Sequence, residues 1–206
     1  PMSGQNVILL DPSRRVVRRV FLGESTIGML IFLVFDAMIL AGMVGAFMLT
    51  RATEAGVWPP ADQPWFPLRE TVINTAVLLC SGALVFLAVR AWKKRAPRFG
   101  LLLLAAILLG AFFMFVQGVV WVGLVRDGLN LAASPHGKLF YLIVGTHGAH
   151  VLVGLVLLGV AWLRLKPLLD GEQTQGPPSS SAFVAVCIFW YFVVGIWPIL
   201  YVCLYL

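Results

Sequence analysis

Charge is scarce in this chain. Only 12% of its 206 residues are Asp, Glu, Lys or Arg, while 60% are apolar. A water-soluble globule of that length cannot be covered with so little polar surface, so the chain belongs in a bilayer. Cysteine is scarce too: Cys80, Cys187 and Cys203 are odd in number and all lie inside apolar runs. A thiol there behaves as a small hydrophobe, and no disulfide framework is implied. A phosphate-cradling glycine loop, a Ser–His–Asp set and paired acids at glycosidase-like spacing are missing, so catalysis within the chain lacks its usual parts. Basic residues outnumber acidic ones by 15 to 9, but they sit in short clusters between long apolar runs. That is the pattern of juxtamembrane anchors, and no nucleic-acid partner is expected.

What is present is length of apolar sequence. A spanning helix needs about 20 mostly apolar residues, and five segments qualify: Glu24–Thr50, Glu70–Trp92, Gly100–Val125, Lys138–Leu163 and Ala182–Leu206. The fold class expected is all-α, a single membrane domain of five transmembrane helices behind a basic tail over residues 1–23. The apolar run after that tail is too long for a signal-peptide core, so the first helix is expected to remain in the mature protein. The connections agree with these cuts: a Pro- and Trp-rich loop from Arg51 to Arg69, a basic turn from Lys93 to Arg98, a short loop from Arg126 to Gly137 and a Pro/Ser linker from Lys166 to Ser181.

Basic residues near helix ends orient the chain. The amino tail, the Arg90–Arg98 turn and the Arg164–Ser181 linker hold four, five and two, whereas the other side holds only Arg51, Arg69, Arg126 and Lys138. The amino terminus is therefore expected inside and the carboxyl terminus outside, in an inner (cytoplasmic) bacterial membrane. Trp58 and Trp65 in the outer loop, with Trp92 and Trp162 at inner helix ends, then fall at the interfaces that amphipathic rings prefer.

Ionisable side chains at the bilayer centre cost about 2.5–3.5 kcal/mol on insertion scales, so each is a functional candidate. Asp36 is the only acid well inside any of the five runs. It is either a proton-related carboxyl or polar glue between helices. In the fourth run, His147 and His150 stand three residues apart and hence on one face. The spacing suits a metal, yet the chain's only further histidine, His136, falls in the loop beside that run. A haem or copper centre needs ligands from several elements, so the pair is read as structural, bonding neighbouring helices, with no metal in this chain. Gly145, Gly148 and Gly154 around the pair allow another backbone to approach. Gln117 lies at about the depth of His147 and can reach it, or else finds a backbone carbonyl. Trp190, Trp197 and Pro198 give the last run a bulky aromatic face and an expected kink.

These features, in this order, resemble subunit III of the haem-copper respiratory oxidases. "GTHGAHVLVG" from Gly145 to Gly154 reproduces the family's Gly-Thr-His-Gly-x-His-Val run. The first helix resembles Phe-Leu-x-Ser-Glu/Asp-x-Met-x-Phe-x-Gly, with Asp36 at the acidic place as in the quinol-oxidase branch. "WPP" at Trp58–Pro60, Asn74–Thr75 and "LLCSG" at Leu78–Gly82 match in order. The chain departs elsewhere. The family's Trp-His-Phe-x-Asp-x-x-Trp is Trp190-Tyr191-Phe192-Val193-Val194-Gly195-Ile196-Trp197 here, and Val120 replaces the acid of a Gln-x-x-Glu pattern that begins at Gln117.

The resemblance implies a bundle split into two and three helices around phospholipid tails, docked beside catalytic subunit I and other oxidase subunits. It implies no cofactor here, with haem and copper in the partner subunits and phospholipid bound. The implied role is to sustain proton uptake and to protect a catalytic subunit that passes electrons from cytochrome c or quinol to oxygen, with Asp36 as the buried family carboxylate. Other readings are an accessory protein of a nitric oxide reductase, a small proton transporter or channel, or a His-bound metal enzyme.

Overall fold

The computed structural model describes residues 23–53, 68–127, 135–169 and 180–205. These form five helices: α1 (Glu24–Thr53), α2 (Leu68–Lys93), α3 (Phe99–Arg126), α4 (Pro135–Leu169) and α5 (Ser180–Tyr205). All five are long and apolar enough to cross a membrane. In hydrocarbon every backbone amide must be satisfied within its own segment, which is why such runs become helices. The protein is an all-α integral membrane bundle, as its apolar runs predict. Trp58, Trp65 and the "WPP" element lie outside the described residues, as do the basic tail and most of the linker from Lys166 to Ser181.

The largest departure from the expected boundaries is in α4. Helix α4 continues beyond Leu163 to Leu169, and His136, expected in a loop, stands in its first turn. The extension is held down on α3: the Trp162 indole Nε1 donates to the Gly100 carbonyl at 2.8 Å, and the Lys166 stem lies against Gly100. Lys166 is held there by its stem, while Arg164 is exposed. Helix α5 runs through Pro198 without interruption.

The helices pair in a ring, α1 to α4, α4 to α3, α3 to α2, α2 to α5 and α5 back to α1, with α4 and α5 also touching across it. The pairing has no break, so it does not display a two-plus-three division. Among the described residues α1 touches neither α2 nor α3. It is the peripheral helix, far less buried along its span than α5. Its buried residues Thr26, Leu33, Asp36, Leu40 and Phe47 form one stripe, at the spacing of a single helix face. Phe35, Met38 and Ile39 face outward.

The α2–α3 turn closes by a helix-ending motif. Ala96 N–H donates to the Ala91 carbonyl at 2.9 Å and Arg95 N–H to the Trp92 carbonyl at 2.9 Å, with Arg95 left-handed at φ 50°. This is the place where glycine is usual, because a Cβ crowds the following carbonyl. Beside it Trp92, Phe99 and Phe183 from α2, α3 and α5 meet with ring centroids 5.2–5.9 Å apart.

The spacing of α3 and α4 is set by an indole. Trp190 of α5 is fully buried and lies against both Gly110 and Gly154; a Cβ at either would sit 2.8 or 2.7 Å from its ring. Gly148 similarly faces Trp121, at 3.0 Å from such a Cβ, while Gly145 is open. The α4 glycines at 148 and 154 thus admit aromatic rings rather than a second backbone. A flat indole between two helices buries more area than two facing methyl groups would.

Candidate functional site

Asp36 and His150 meet. The His150 Nε2 lies 3.1 Å from Asp36 Oδ1, joining α1 to α4 near mid-span, with the side chains 18% and 9% exposed. His150 Nδ1 donates to the Thr146 carbonyl one turn back at 2.8 Å, which holds the imidazole plane and aims Nε2 at the carboxyl. Phe189 of α5 covers the pair, its ring 6.1 Å from that of His150 and 6.3 Å from Phe32 of α1. Asp36 Oδ2 is buried and has no hydrogen-bond partner among the described residues. A polar side chain this deep costs several kcal/mol unless paired, and the pairing is what makes Asp36 tolerable on an otherwise apolar stripe.

His147 goes elsewhere. Three residues advance a helix by about 300°, leaving side chains about 60° apart, and α4 has α1 on one flank and α3 on the other. His150 therefore meets α1. His147 instead stacks on Trp197 of α5 at 4.8 Å, with an interplanar angle of 24°, and presents itself edge-on to Phe113 of α3 at 6.5 Å. Its ring nitrogens have no hydrogen-bond partner among the described residues. His150 thus reaches a neighbouring helix through Asp36, whereas His147 packs ring against ring.

Gln117 does not bond His147. Its Oε1 accepts from Asn74 Nδ2 at 3.2 Å and its Nε2 donates to the Tyr205 hydroxyl at 3.3 Å. Asn74 Nδ2 also donates to the Phe113 carbonyl at 3.0 Å. A second strand of the network runs from Trp197 Nε1 to Thr75 Oγ1 at 2.9 Å and from Thr75 to the Thr71 carbonyl at 2.7 Å. Asn74, Thr75, Gln117, Trp197 and Tyr205 together tie α2, α3 and α5. Sequence reasoning missed Asn74, Thr75 and Tyr205 as network members; the adjacent polar pair Asn74–Thr75 inside an apolar run was the available signal. Asn74→Leu should lower the stability of the folded chain by about 1–3 kcal/mol, because it strands buried partners. Thermal unfolding in mild detergent checks this.

Of the two departures in α5 one is packed and the other exposed. Val194, at the place of the family acid, presses its Cγ1 to 3.0 Å from where a Gly82 Cβ would stand, and Tyr191 faces outward. Among the described residues no group of three or more His, Cys, Asp or Glu is arranged to hold a metal ion. Asp36 and His150 alone make two ligands, and His147 turns away from them.

A family profile described as cytochrome c oxidase subunit III matches residues 18–206. A protein of Nocardia farcinica described as a probable cytochrome c oxidase subunit 3 is 31% identical over 182 residues, covering 87% of this chain and 86% of that one. The corresponding protein of Mycobacterium leprae is 29% identical over the same shares. Mouse cytochrome c oxidase subunit 3 is 30% identical over 185 residues, covering 86% of this chain and 67% of the mouse protein. With a five-helix membrane bundle whose Gly145–Gly154 run brings His150 onto Asp36, and with a family match over nearly its whole length, the chain belongs to the cytochrome c oxidase subunit III family.

Proposed function

We propose that this chain is a non-catalytic subunit of a terminal haem-copper oxidase. It docks beside the catalytic subunit I, stabilises it and supports proton uptake while electrons pass from cytochrome c or quinol to oxygen. The family match over residues 18–206 carries the reading. The Asp36–His150 contact supports the part concerned with protons, since it puts two exchangeable groups within 3.1 Å in the apolar span. Haem and copper belong to the partner subunits in this reading, and phospholipid fills the apolar outer faces. The basic cluster Arg90, Lys93, Lys94, Arg95 and Arg98, with Arg164 and Lys166 beside it, supports an inner face at that end of the bundle. The amino terminus is then inside and the carboxyl terminus outside a bacterial inner membrane.

Purification of the native complex through a tag on this chain tests the assignment. Haem and copper should appear in the complex, and neither should appear in the chain expressed alone. A complex with iron but no copper would favour the accessory role in a nitric oxide reductase, a reading that the departures at Val120, Tyr191 and Val194 keep open. A preparation with no haem protein would favour the transporter reading. Within the oxidase, Asp36→Asn should leave assembly largely intact, because shape is kept, and should change how long activity survives repeated turnover. Unchanged lifetime would reduce Asp36 to a packing residue.

A further inference from the structure

The contact between α1 and α4 requires a proton of its own. The Thr146 carbonyl can only accept, so the bond it makes with His150 Nδ1 at 2.8 Å fixes a proton on that nitrogen. In a neutral imidazole the other nitrogen, Nε2, is then a bare acceptor. It faces Asp36 Oδ1 at 3.1 Å. An ionised carboxyl also offers only lone pairs, so an ionised Asp36 opposite a neutral His150 would set acceptor against acceptor. The contact exists only while one further proton lies on the pair, either on the carboxyl or on Nε2. Which atom carries it matters little for attraction, since both arrangements are neutral as a pair and both supply the missing donor.

We propose that Asp36 and His150 form a single-proton site that fastens α1 to α4, so that loss of the proton loosens the outer helix from the bundle. The site stands whatever complex the chain joins. Helix α1 is the one that can respond, for it touches only α4 and α5 among the described residues and holds on by a single narrow stripe. Asp36 lies mid-stripe, between Leu33 and Leu40. Few other groups compete for the proton. Helix α1 adds Glu24 and Arg51 at its ends, and α4 adds Lys138, Tyr141, Arg164 and Lys166 towards its ends, with His147 a turn away and turned to α3 and α5. Helix α5 contributes no Asp, Glu, Lys, Arg or His and covers the pair with Phe189.

The test uses the full chain in lipid nanodiscs and again in its purified complex, with the native cysteines replaced by alanine. Spin labels on the outward positions Met38 of α1 and Val153 of α4 report the seam. As the pH is raised from about 6 to about 10, the interspin distance should lengthen by a few ångströms. Asp36→Asn donates from its amide to Nε2 without a titrating proton and should keep the low-pH distance throughout. His150→Gln, whose amide donates to the carboxylate, should do the same, and it serves if the first variant fails to fold. A distance that stays constant with pH in the otherwise native chain would overturn the proposal. So would a pH-dependent opening that persists in both variants, because another group would then be driving it.

Discussion

Replacing Gly154 with valine should largely prevent the bundle from closing. Even the Cβ of an alanine at this place would sit 2.7 Å from Trp190 Cε3 and 2.9 Å from Cζ3. The indole cannot retreat, because its far edge already lies against Gly110, where a Cβ would be 2.8 Å from Cη2. Overpacking of this kind costs about 1–3 kcal/mol per added group and more where nothing can shift. It outweighs the roughly 1 kcal/mol that leaving glycine contributes to helix propensity. Thermal unfolding in detergent reads the loss. Gly159→Ala supplies the control, since a Cβ there meets nothing within 4 Å and should be neutral or slightly stabilising. Trp190→Phe should partly rescue Gly154→Val, because the smaller ring gives back space on the same side. An unrescued double variant would mean that the glycine matters for its backbone and not for the ring.

His150→Leu should be the most damaging single change at the polar contact. It leaves Asp36 buried opposite an apolar side chain, and breaking a buried pair by removing one partner costs about 3–5 kcal/mol. Asp36→Leu combined with His150→Leu should recover most of that loss, because an apolar pair needs neither donor nor acceptor. Yield of folded chain measures both. A double variant as unstable as His150→Leu would show that the histidine holds α4 through its bond to Thr146 more than α1 through Asp36.

The fold class was legible because the bilayer leaves little choice: an apolar run of sufficient length becomes a helix whatever its neighbours are. The ends of α4 were less legible. Nothing in the residues beyond Leu163 announces that Trp162 and Lys166 will pin that stretch onto Gly100, and polar sequence ordinarily marks a linker. Asp36, His147, His150 and Gln117 could all be picked out, since a polar side chain in hydrocarbon is conspicuous by its cost. Their partners could not. Equal depth left Gln117 either His147 or a backbone carbonyl as its partner, and depth says nothing about azimuth. Gln117 turns to α2 and α5, where Asn74 and Tyr205 wait, while His147 stacks on Trp197.

The amino-acid sequence alone determined that this protein is a five-helix membrane bundle, what resemblance it bears and which polar residues need explaining. Only the tertiary structure decided that His150 reaches Asp36, that His147 stacks on Trp197 and that the α4 glycines at 148 and 154 receive indole rings. The physical reason is rotational. The rise of a helix places each residue at a depth that can be counted along the chain, whereas its rotation about its own axis is set by what its neighbours can pack against. Here that is Trp190 wedged between Gly110 and Gly154.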